Sequence, residues 1–227
     1  MSYPNIPQVA QPQVAIDDSV DQFPVRRIFC VGQNYAEHAR EMGSDPDRQQ
    51  PFFFTKPADA VVGTGARLPF PGLTDDLHHE VELVVALASG GDAIDVAHAA
   101  GLIFGYAVGL DLTRRDMQAI AKKAGRPWDM AKGFDRSAPI GPLVRGAPPA
   151  SGAIGLTING KTRQSGDLDQ MIWSVAEIIA VLSTYVTLAA GDLIFTGTPA
   201  GVGPIRRGDV VRGTIAGAPP LEISFLN

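Results

Sequence analysis

The segment Val81–Leu87 is apolar at every position except Glu82, and it constrains the fold more than any other stretch. An apolar run of this length, rich in valine and leucine, is typical of a buried strand. Successive side chains of a strand point to opposite faces, so His78, Glu80 and Glu82 project to one side. The odd-numbered residues 81–87 pack on the other side. The sequence therefore predicts two neighbouring carboxylates on a strand that is otherwise buried in an apolar core.

Two adjacent carboxylates repel each other and raise each other's pKa unless a cation lies between them. For this pair alone, a polar face solvated by water is the simpler interpretation, although the apolar flanks leave less room for solvent. Asp111 ends a second apolar stretch that begins at Phe104, and strand ends often hold catalytic groups. Three oxygen ligands favour Mg²⁺ or Mn²⁺. Zinc stays an alternative, with His78 or His79 as a further ligand.

Composition places the chain among ordinary globular proteins. The 25 glycines and 18 prolines are many for 227 residues, and they predict numerous turns, short strands and few long helices. Hydrophobic residues make up 45% and charged residues 19% of the chain, which is enough apolar material for one sizeable core.

Charge, apolar runs and cysteine content exclude several classes of protein. A formal net charge of -5 argues against nucleic acid as a partner, because phosphate recognition needs a basic face. No run of about 18 apolar residues is present, so we expect no membrane span. The first residues lack the pattern of a signal peptide. Cys30 is the single cysteine, which excludes an internal disulfide and fits a reducing cytoplasm.

The chain is predicted to form an N-terminal arm and one domain. Residues 1–24 are rich in proline, glutamine and valine without a sustained period, so we expect an arm that lies against the body or a partner subunit. Residues 25–227 show neither an internal repeat nor a clear linker, and they predict a single strand-rich domain. The pair Asn159–Gly160 between alternating residues indicates a hairpin.

Three modest helices are predicted from capping residues and apolar periodicity. They are Tyr35–Met42 after Asn34, Arg114–Lys123 after Thr113, and a helix from Ser174 to about Val186.

The first of these helices carries a candidate general base. His38 and Glu41 are three residues apart, so they share one face of the helix. A carboxylate beside an imidazole fixes its tautomer and raises its basicity, which suits the activation of water. Spacing alone favours an ordinary surface pair over a catalytic one, and Glu37 with Arg40 and Glu41 fits that interpretation too.

Further candidates lie on the second helix and beyond it. Arg115 and Gln118 share a helix face, where they are suited to bind a carboxylate and an oxo group, or form a solvated surface. Lys132, in a stretch of low charge, is suited to stabilise an enolate, or is an exposed loop lysine. Thr198 and backbone N–H groups of the loop 196–203 can bind an oxyanion. This loop lacks the lysine of a P-loop, and no strand leads into a Gly-x-Gly-x-x-Gly turn, which excludes nucleotide and dinucleotide binding.

Taken together, six stretches in collinear order resemble the fumarylacetoacetate hydrolase family, in particular its short acylpyruvase and fumarylpyruvate hydrolase branch. The resemblance covers the chain from about residue 25 to its end. The stretches are Gly32–Met42, Phe54–Pro57, Leu77–Leu83, Gly109–Gln118, Trp128–Lys132 and Thr196–Pro204.

The resemblance implies a fold and a set of roles. The fold is α+β, a mixed β-sheet roll with a few short helices, and the assembly is a homodimer. Gln33 departs from the family, in which arginine is frequent at this position. The roles carried over are metal ligation by Glu80, Glu82 and Asp111 for Mg²⁺ or Mn²⁺, catalysis by His38, Glu41 and Lys132, and substrate binding by Arg115, Gln118, Thr198 and Tyr35.

The reaction implied by the resemblance is hydrolysis of a carbon–carbon bond in a 2,4-dioxo acid. The expected substrate is fumarylpyruvate, which yields fumarate and pyruvate in gentisate-type aromatic catabolism, with the loop 43–50 as a lid. Oxaloacetate decarboxylation and isomerisation of a dioxo acid are alternatives on the same scaffold. A non-catalytic binding protein is a remote alternative, which predicts the loss of His38, Glu41 or one of the three carboxylates.

Overall fold

A computed structural model of the protein describes residues 9–41 and 49–227. Most of this part of the chain is organised by short strands, as the glycine and proline content predicts. The strands are β1 (Gln13–Ala15), β2 (Gln22–Pro24), β3 (Arg27–Gly32), β4 (Phe52–Lys56), β5 (Val61–Val62), β6 (Arg67–Leu68), β7 (Leu77–His79), β8 (Val81–Leu87), β9 (Ile103–Leu110), β10 (Thr113–Arg114), β11 (Ala138–Pro139), β12 (Val144–Arg145), β13 (Ala153–Ile158), β14 (Lys161–Asp167), β15 (Asp192–Phe195), β16 (Gly203–Pro204), β17 (Val210–Ile215) and β18 (Leu221–Phe225).

The helices are short, and the α+β class is confirmed. They are α1 (Ala36–Glu41), α2 (Val96–Ala99), α3 (Arg115–Lys123), α4 (Asp129–Lys132) and α5 (Val175–Tyr185), with 3₁₀ turns at Ala58–Ala60, Ala100–Leu102 and Leu168–Gln170. The three predicted helices correspond to α1, α3 and α5; the four-residue α4 was not predicted. Met42, the predicted end of the first helix, and residues 43–48 of the predicted lid lie outside the described residues.

The largest sheet has six strands in the order β12-β9-β8-β15-β3-β4. It is mixed, because β15 runs parallel to β3 and antiparallel to β8. The predicted apolar strand is β8, which lies between β9 and β15 with all seven residues buried. A strand covered on both faces has to be apolar nearly throughout, which explains its composition.

A second sheet, β14-β13-β17-β18-β6, packs against one face of the first, with α5 completing the layer. The predicted hairpin at its edge is confirmed: Asn159 and Gly160 connect β13 to β14 with φ of 51° and 75°. Both residues have the positive φ that a tight two-residue turn requires. At the start of α5, the side chains of Ser174 and Glu177 form a capping box.

The other face of the six-stranded sheet carries a smaller core. Strands β1 and β2 pair with each other, and their Val14 and Phe23 pack there with Ile28 and the fully buried Cys30. Residues 13–24, predicted as an arm, thus form a two-stranded sheet whose apolar side chains join the core. The boundary between residues 24 and 25 stays a prediction.

Two predicted helix caps are wrong, in each case because tertiary hydrogen bonds determine the local structure. Thr113 lies in β10, which pairs with β7, and α3 begins at Arg115 after the uncapped Arg114. Asn34 lies two residues before α1, and its side chain bonds the backbone of Trp173 and Thr196 instead. Among the described residues, no helix has the length and apolar character needed to cross a membrane.

Candidate active site

Adjacent antiparallel strands bring the three predicted metal ligands together. Glu82 in β8 pairs with Gly109 in β9, and Asp111 follows β9 directly with its backbone N–H bonded to the Glu80 carbonyl at 2.9 Å. One carboxylate oxygen from each of Glu80, Glu82 and Asp111 lies within 4.8 Å of the others, and all three residues are buried. Within the described residues, this is the only group of three or more ligand-type side chains with such spacing.

Cationic side chains surround two of the three carboxylates. Lys132 Nζ lies 2.8 Å from Glu80 and 2.6 Å from Asp111, and Lys56 Nζ lies 2.8 Å from Asp111. Arg115 pairs with the other oxygen of Glu80. Burial disfavours the charged form of Glu80, yet Lys132 and Arg115 outweigh it and hold the pKa of this carboxyl below its usual value. Burial likewise disfavours charge on Lys132, but Asp111 and Glu80 raise the pKa of this lysine to about 12.

Glu82 is held differently from its two neighbours. It accepts a hydrogen bond from the Gly197 N–H at 2.7 Å, and no cationic side chain of the described residues pairs with it. Burial first, and then the charges of Asp111 and Glu80, raise the pKa of Glu82 well above its ordinary value. A buried carboxylate facing two others is the arrangement that a divalent cation compensates.

The donors of the site are all oxygen atoms, which fits a hard cation such as Mg²⁺ or Mn²⁺. The zinc alternative receives no support, because neither His78 nor His79 belongs to the cluster of the three carboxylates. His78 contacts Asp76 and Arg115, and His79 Nδ1 lies 3.0 Å from Gln164.

The predicted base faces the same cavity as the carboxylates. His38 on α1 is 6% exposed, and it lines the cavity together with Glu80 and Lys132. Its Nδ1 lies 3.6 Å from Glu41 Oε2, within ion-pair distance but too long for a hydrogen bond. Burial, the largest influence, lowers the pKa of His38 below 6.5, so the imidazole is neutral at neutral pH. Glu41 remains half exposed and accepts hydrogen bonds from the Gly201 N–H.

Most of the other predicted site residues line this cavity, and two do not. The cavity is lined by Val31, Gly32, Gln33, His38, Phe52, Phe54, Glu80, Glu82, Asp111, Arg115, Gln118, Trp128, Lys132 and Thr198. Glu41 lies behind His38, outside the lining. Tyr35 is 2% exposed and is absent from the lining, and its hydroxyl has no hydrogen-bond partner among the described residues. Tyr35 therefore lies outside the cavity lining, and its role in substrate binding stays a prediction.

Thr198 is oriented by a glutamine that the sequence did not single out. Gln164 of β14 donates to Thr198 Oγ1 and to the Pro199 carbonyl, both at 2.8 Å, while its oxygen accepts from the Val81 N–H. Because the Thr198 oxygen already accepts a bond, its own O–H is available to donate. A donor at this position suits an oxyanion in the cavity.

Two further features of the site were missed at the level of sequence. Lys56 forms a salt bridge with Asp111 and also donates to the Leu112 carbonyl at 3.1 Å. Phe52, Phe54 and Trp128 form an aromatic wall, with the Trp128 ring 5.4 Å from that of Phe52 and 5.9 Å from that of Phe54. Most of these residues fall within the stretches Phe54–Pro57 and Trp128–Lys132, which indicated a family but no individual role for them.

Comparison with known proteins agrees with this geometry. The family described as fumarylacetoacetate (FAA) hydrolase C-terminal matches residues 27–225. A fumarylpyruvate hydrolase from Ralstonia sp is 43% identical over 187 residues, covering 81% of this chain and 97% of that protein. An oxaloacetate tautomerase from Escherichia coli K12 is 41% identical over 199 residues, covering 86% and 90%. The crystal structure of fumarylpyruvate hydrolase from Pseudomonas aeruginosa in complex with Mn²⁺ and pyruvate matches with a TM-score of 0.96 at 48% identity, covering 99% of both chains.

The fold and the cavity define an enzyme scaffold with a buried site for a divalent cation. The chain belongs to the fumarylacetoacetate hydrolase family, as its collinear motifs predict.

Proposed function

We propose that the protein hydrolyses a carbon–carbon bond of an acylpyruvate, with fumarylpyruvate as its substrate in aromatic catabolism. One observation carries the proposal: a buried, neutral His38 lines the same cavity as the three carboxylates and Arg115. This combination offers a base for water beside a place for a charged oxo acid. The relatives from Ralstonia and Pseudomonas aeruginosa, both fumarylpyruvate hydrolases, support the choice of substrate.

Glu80, Glu82 and Asp111 are the residues that would hold Mn²⁺ or Mg²⁺. When bound, such a cation supplies Lewis acidity for the carboxylate and oxo oxygens of the substrate. The presence of Mn²⁺ and pyruvate in the Pseudomonas aeruginosa structure supports this assignment, since pyruvate is a product of the proposed reaction.

The residues of the chain divide the chemistry among them. Arg115 and Gln118 bind the carboxylate end of the dioxo acid, which Arg115 can contact through two N–H groups. The aromatic wall packs against the acyl group. His38, with Nδ1 directed at Glu41, takes a proton from water through its other ring nitrogen. Water attacks the distal carbonyl carbon, and the Thr198 O–H stabilises the resulting oxyanion.

Bond cleavage then follows from the tetrahedral adduct. The acyl group leaves as a carboxylic acid, and the electron pair of the broken bond goes to the pyruvate portion as an enolate. The Lys132 ammonium group, placed beside Glu80 and Asp111, lowers the energy of this enolate. Protonation of the enolate carbon by the imidazolium of His38 gives pyruvate and restores the base.

Tautomerisation of oxaloacetate is the second candidate, favoured by the Escherichia coli relative at 41% identity. Decarboxylation of oxaloacetate on the same scaffold is a related alternative. Neither reaction consumes water, so neither needs a base that activates it. A non-catalytic binding protein receives no support, because His38, Glu41 and all three carboxylates are present.

The test is an assay of pyruvate release, coupled to lactate dehydrogenase, from fumarylpyruvate and acetylpyruvate with Mn²⁺ and with chelator. We expect Mn²⁺-dependent release that is faster from fumarylpyruvate. Absence of pyruvate from both substrates would refute the proposal, and accelerated enol–keto conversion of oxaloacetate alone would favour the tautomerase. The homodimer and the cytoplasmic location stay predictions; light scattering tests the former.

A further inference from the structure

The side chain of Arg115 is held from three directions. One terminal nitrogen pairs with Glu80, and the other donates to the oxygen of Gln118. Its inner nitrogen, Nε, donates to His78 Nδ1 at 3.3 Å. The Glu80 and Gln118 contacts involve only the two ends of the guanidinium plane. The contact with His78 adds a third restraint on the plane, at the nitrogen next to the rest of the side chain.

The contact with His78 also determines which ring nitrogen carries the proton. Because Arg115 Nε can only donate, His78 Nδ1 has to be the accepting, unprotonated nitrogen. The proton therefore lies on Nε2, which is 2.8 Å from Asp76 Oδ1 and donates to it. Asp76, His78 and Arg115 thus form a chain of hydrogen bonds in which each member sets the role of the next.

The backbone reinforces the same arrangement. Asp76 O accepts from the Arg115 N–H at 2.8 Å, so one residue holds both the start of α3 and the outer nitrogen of His78. Thr74 and Asp75 bind the carboxylate of Asp116, the next residue of the helix. His78 pairs with Thr113 across the β7–β10 ladder, which sets the distance between the histidine and the helix that carries Arg115.

We infer that His78, oriented by Asp76, is a positioning residue that presents the Arg115 guanidinium to the substrate carboxylate. The inference deepens the proposed function and rests on it for the identity of the ligand. His78 itself does not line the cavity, and both of its ring nitrogens are engaged. Its loss leaves Arg115 charged and bonded to Glu80 and Gln118, but removes the restraint at Nε that helps to hold the guanidinium in the geometry for two-point binding of a carboxylate.

The test compares His78→Ala with His78→Asn in the full chain loaded with Mn²⁺. The asparagine oxygen lies close to the place of Nδ1 and can accept from Arg115, whereas alanine cannot. We expect His78→Ala to raise the Kd of pyruvate, measured by calorimetry, and the KM of fumarylpyruvate about tenfold, the scale of one hydrogen bond to a charged group. We expect kcat to change less than about threefold and His78→Asn to recover most of the loss. Asp76→Ala, which preserves His78, is expected to show a smaller increase in the same two constants.

His98→Ala is the matched control, since His98 is an exposed histidine paired with Asp95 at 3.8 Å. It is expected to leave both constants unchanged. The inference is wrong if His78→Ala leaves them unchanged, if alanine and asparagine are equally impaired, or if the Kd of Mn²⁺ rises in parallel, which would place the effect on Glu80. If the wild type hydrolyses no acylpyruvate while the pyruvate Kd still shifts in His78→Ala, the proposed function fails and the positioning role stands.

Discussion

The two halves of the cavity are built in different ways. The carboxylate half is rigid: Glu80, Asp111 and Lys132 are almost fully buried and joined to one another at 2.6–2.8 Å. The base half is looser, because His38 sits on a six-residue helix and its partner Glu41 is 45% exposed at 3.6 Å.

The difference indicates that cation binding belongs to the carboxylate half and water activation to the base half. A cation site has to be preorganised, since mutually repelling carboxylates must stay close before the ion arrives. A water-activating base needs a fixed position only once substrate is bound, and hydrogen bonds of this kind are often long without it. Substitutions in the carboxylate half should therefore abolish cation binding, whereas those in the base half should leave it intact.

The largest effect is expected from Glu82→Gln. Glutamine resembles the protonated form that the raised pKa of Glu82 favours, and it can still accept from the Gly197 N–H, so the variant should fold. It lacks the negative charge that the cation requires. Loss of the cation removes several kcal/mol of transition-state stabilisation, and we expect kcat/KM to fall about 10⁴-fold.

Calorimetry with Mn²⁺ measures the predicted loss of cation binding directly. Glu222→Gln, an exposed glutamate paired with Arg212, is the control and should bind Mn²⁺ normally. Undiminished Mn²⁺ affinity in Glu82→Gln would remove Glu82 from the cation site.

His38→Ala should impair hydrolysis without impairing cation binding. We expect hydrolysis to fall about 10³-fold, a typical contribution of general base catalysis, while the Kd of Mn²⁺ stays within about threefold of the wild type. Oxaloacetate tautomerisation, measured by loss of enol absorbance, provides the internal comparison. Hydrolysis that survives in His38→Ala would show that water is activated by another group.

The pH dependence of cation binding gives a third and smaller effect. Glu82 has a raised pKa, so it carries a proton at pH values where an ordinary glutamate is charged, and the cation has to displace this proton. Lowering the pH therefore weakens binding. We expect the Kd of Mn²⁺ to rise about tenfold per pH unit below the pKa of Glu82, as for one displaced proton. A Kd independent of pH between neutrality and mild acid would contradict the raised pKa.

The carboxylate half was also the easier one to predict from sequence. Strand alternation places Glu80 and Glu82 on one face, and an apolar stretch leads into Asp111; both patterns are local and survive in the fold. The spacing of His38 and Glu41 predicted a shared face, but it did not distinguish a surface pair from a buried base. That distinction depends on the folded structure, in which His38 is buried and lines a cavity with residues that come later in the chain, among them Glu80 and Lys132.

What the sequence could not predict are contacts between distant elements. Lys56 reaches Asp111 across 55 positions of chain, and Gln164 reaches Thr198 from the second sheet. No local period marks either residue. Asn34 and Thr113 failed as caps for the same reason: the Asn34 side chain bonds Trp173 and Thr196, and Thr113 pairs with β7 as part of a strand. Family resemblance identified the segments around Lys56, Asn34 and Thr113 but not the one around Gln164, and only the folded arrangement assigns their contacts.

Glu41→Gln is the substitution with the smallest expected effect, and it tests how Glu41 supports His38 in the base half. Glutamine can keep the bond from the Gly201 N–H while it loses the charge that supports His38. We expect kcat to fall about threefold to tenfold, far less than in His38→Ala, because Glu41 assists the base but does not itself accept the proton. Glu37→Gln, an exposed change on the same helix, is the control.

The pH profile of kcat/KM tests the same pair through the pKa of His38. Burial lowers the pKa of His38 below 6.5, and the charge of Glu41 partly opposes that shift. With Mn²⁺ kept saturating, the neutral imidazole is the active form, so the wild type should lose activity as the pH falls through the lowered pKa of His38. Removing the Glu41 charge lowers the pKa of His38 further, and the acid limb should move to still lower pH even as the plateau drops. An acid limb that stays in place or moves toward higher pH would show that Glu41 does not act on His38 through its charge.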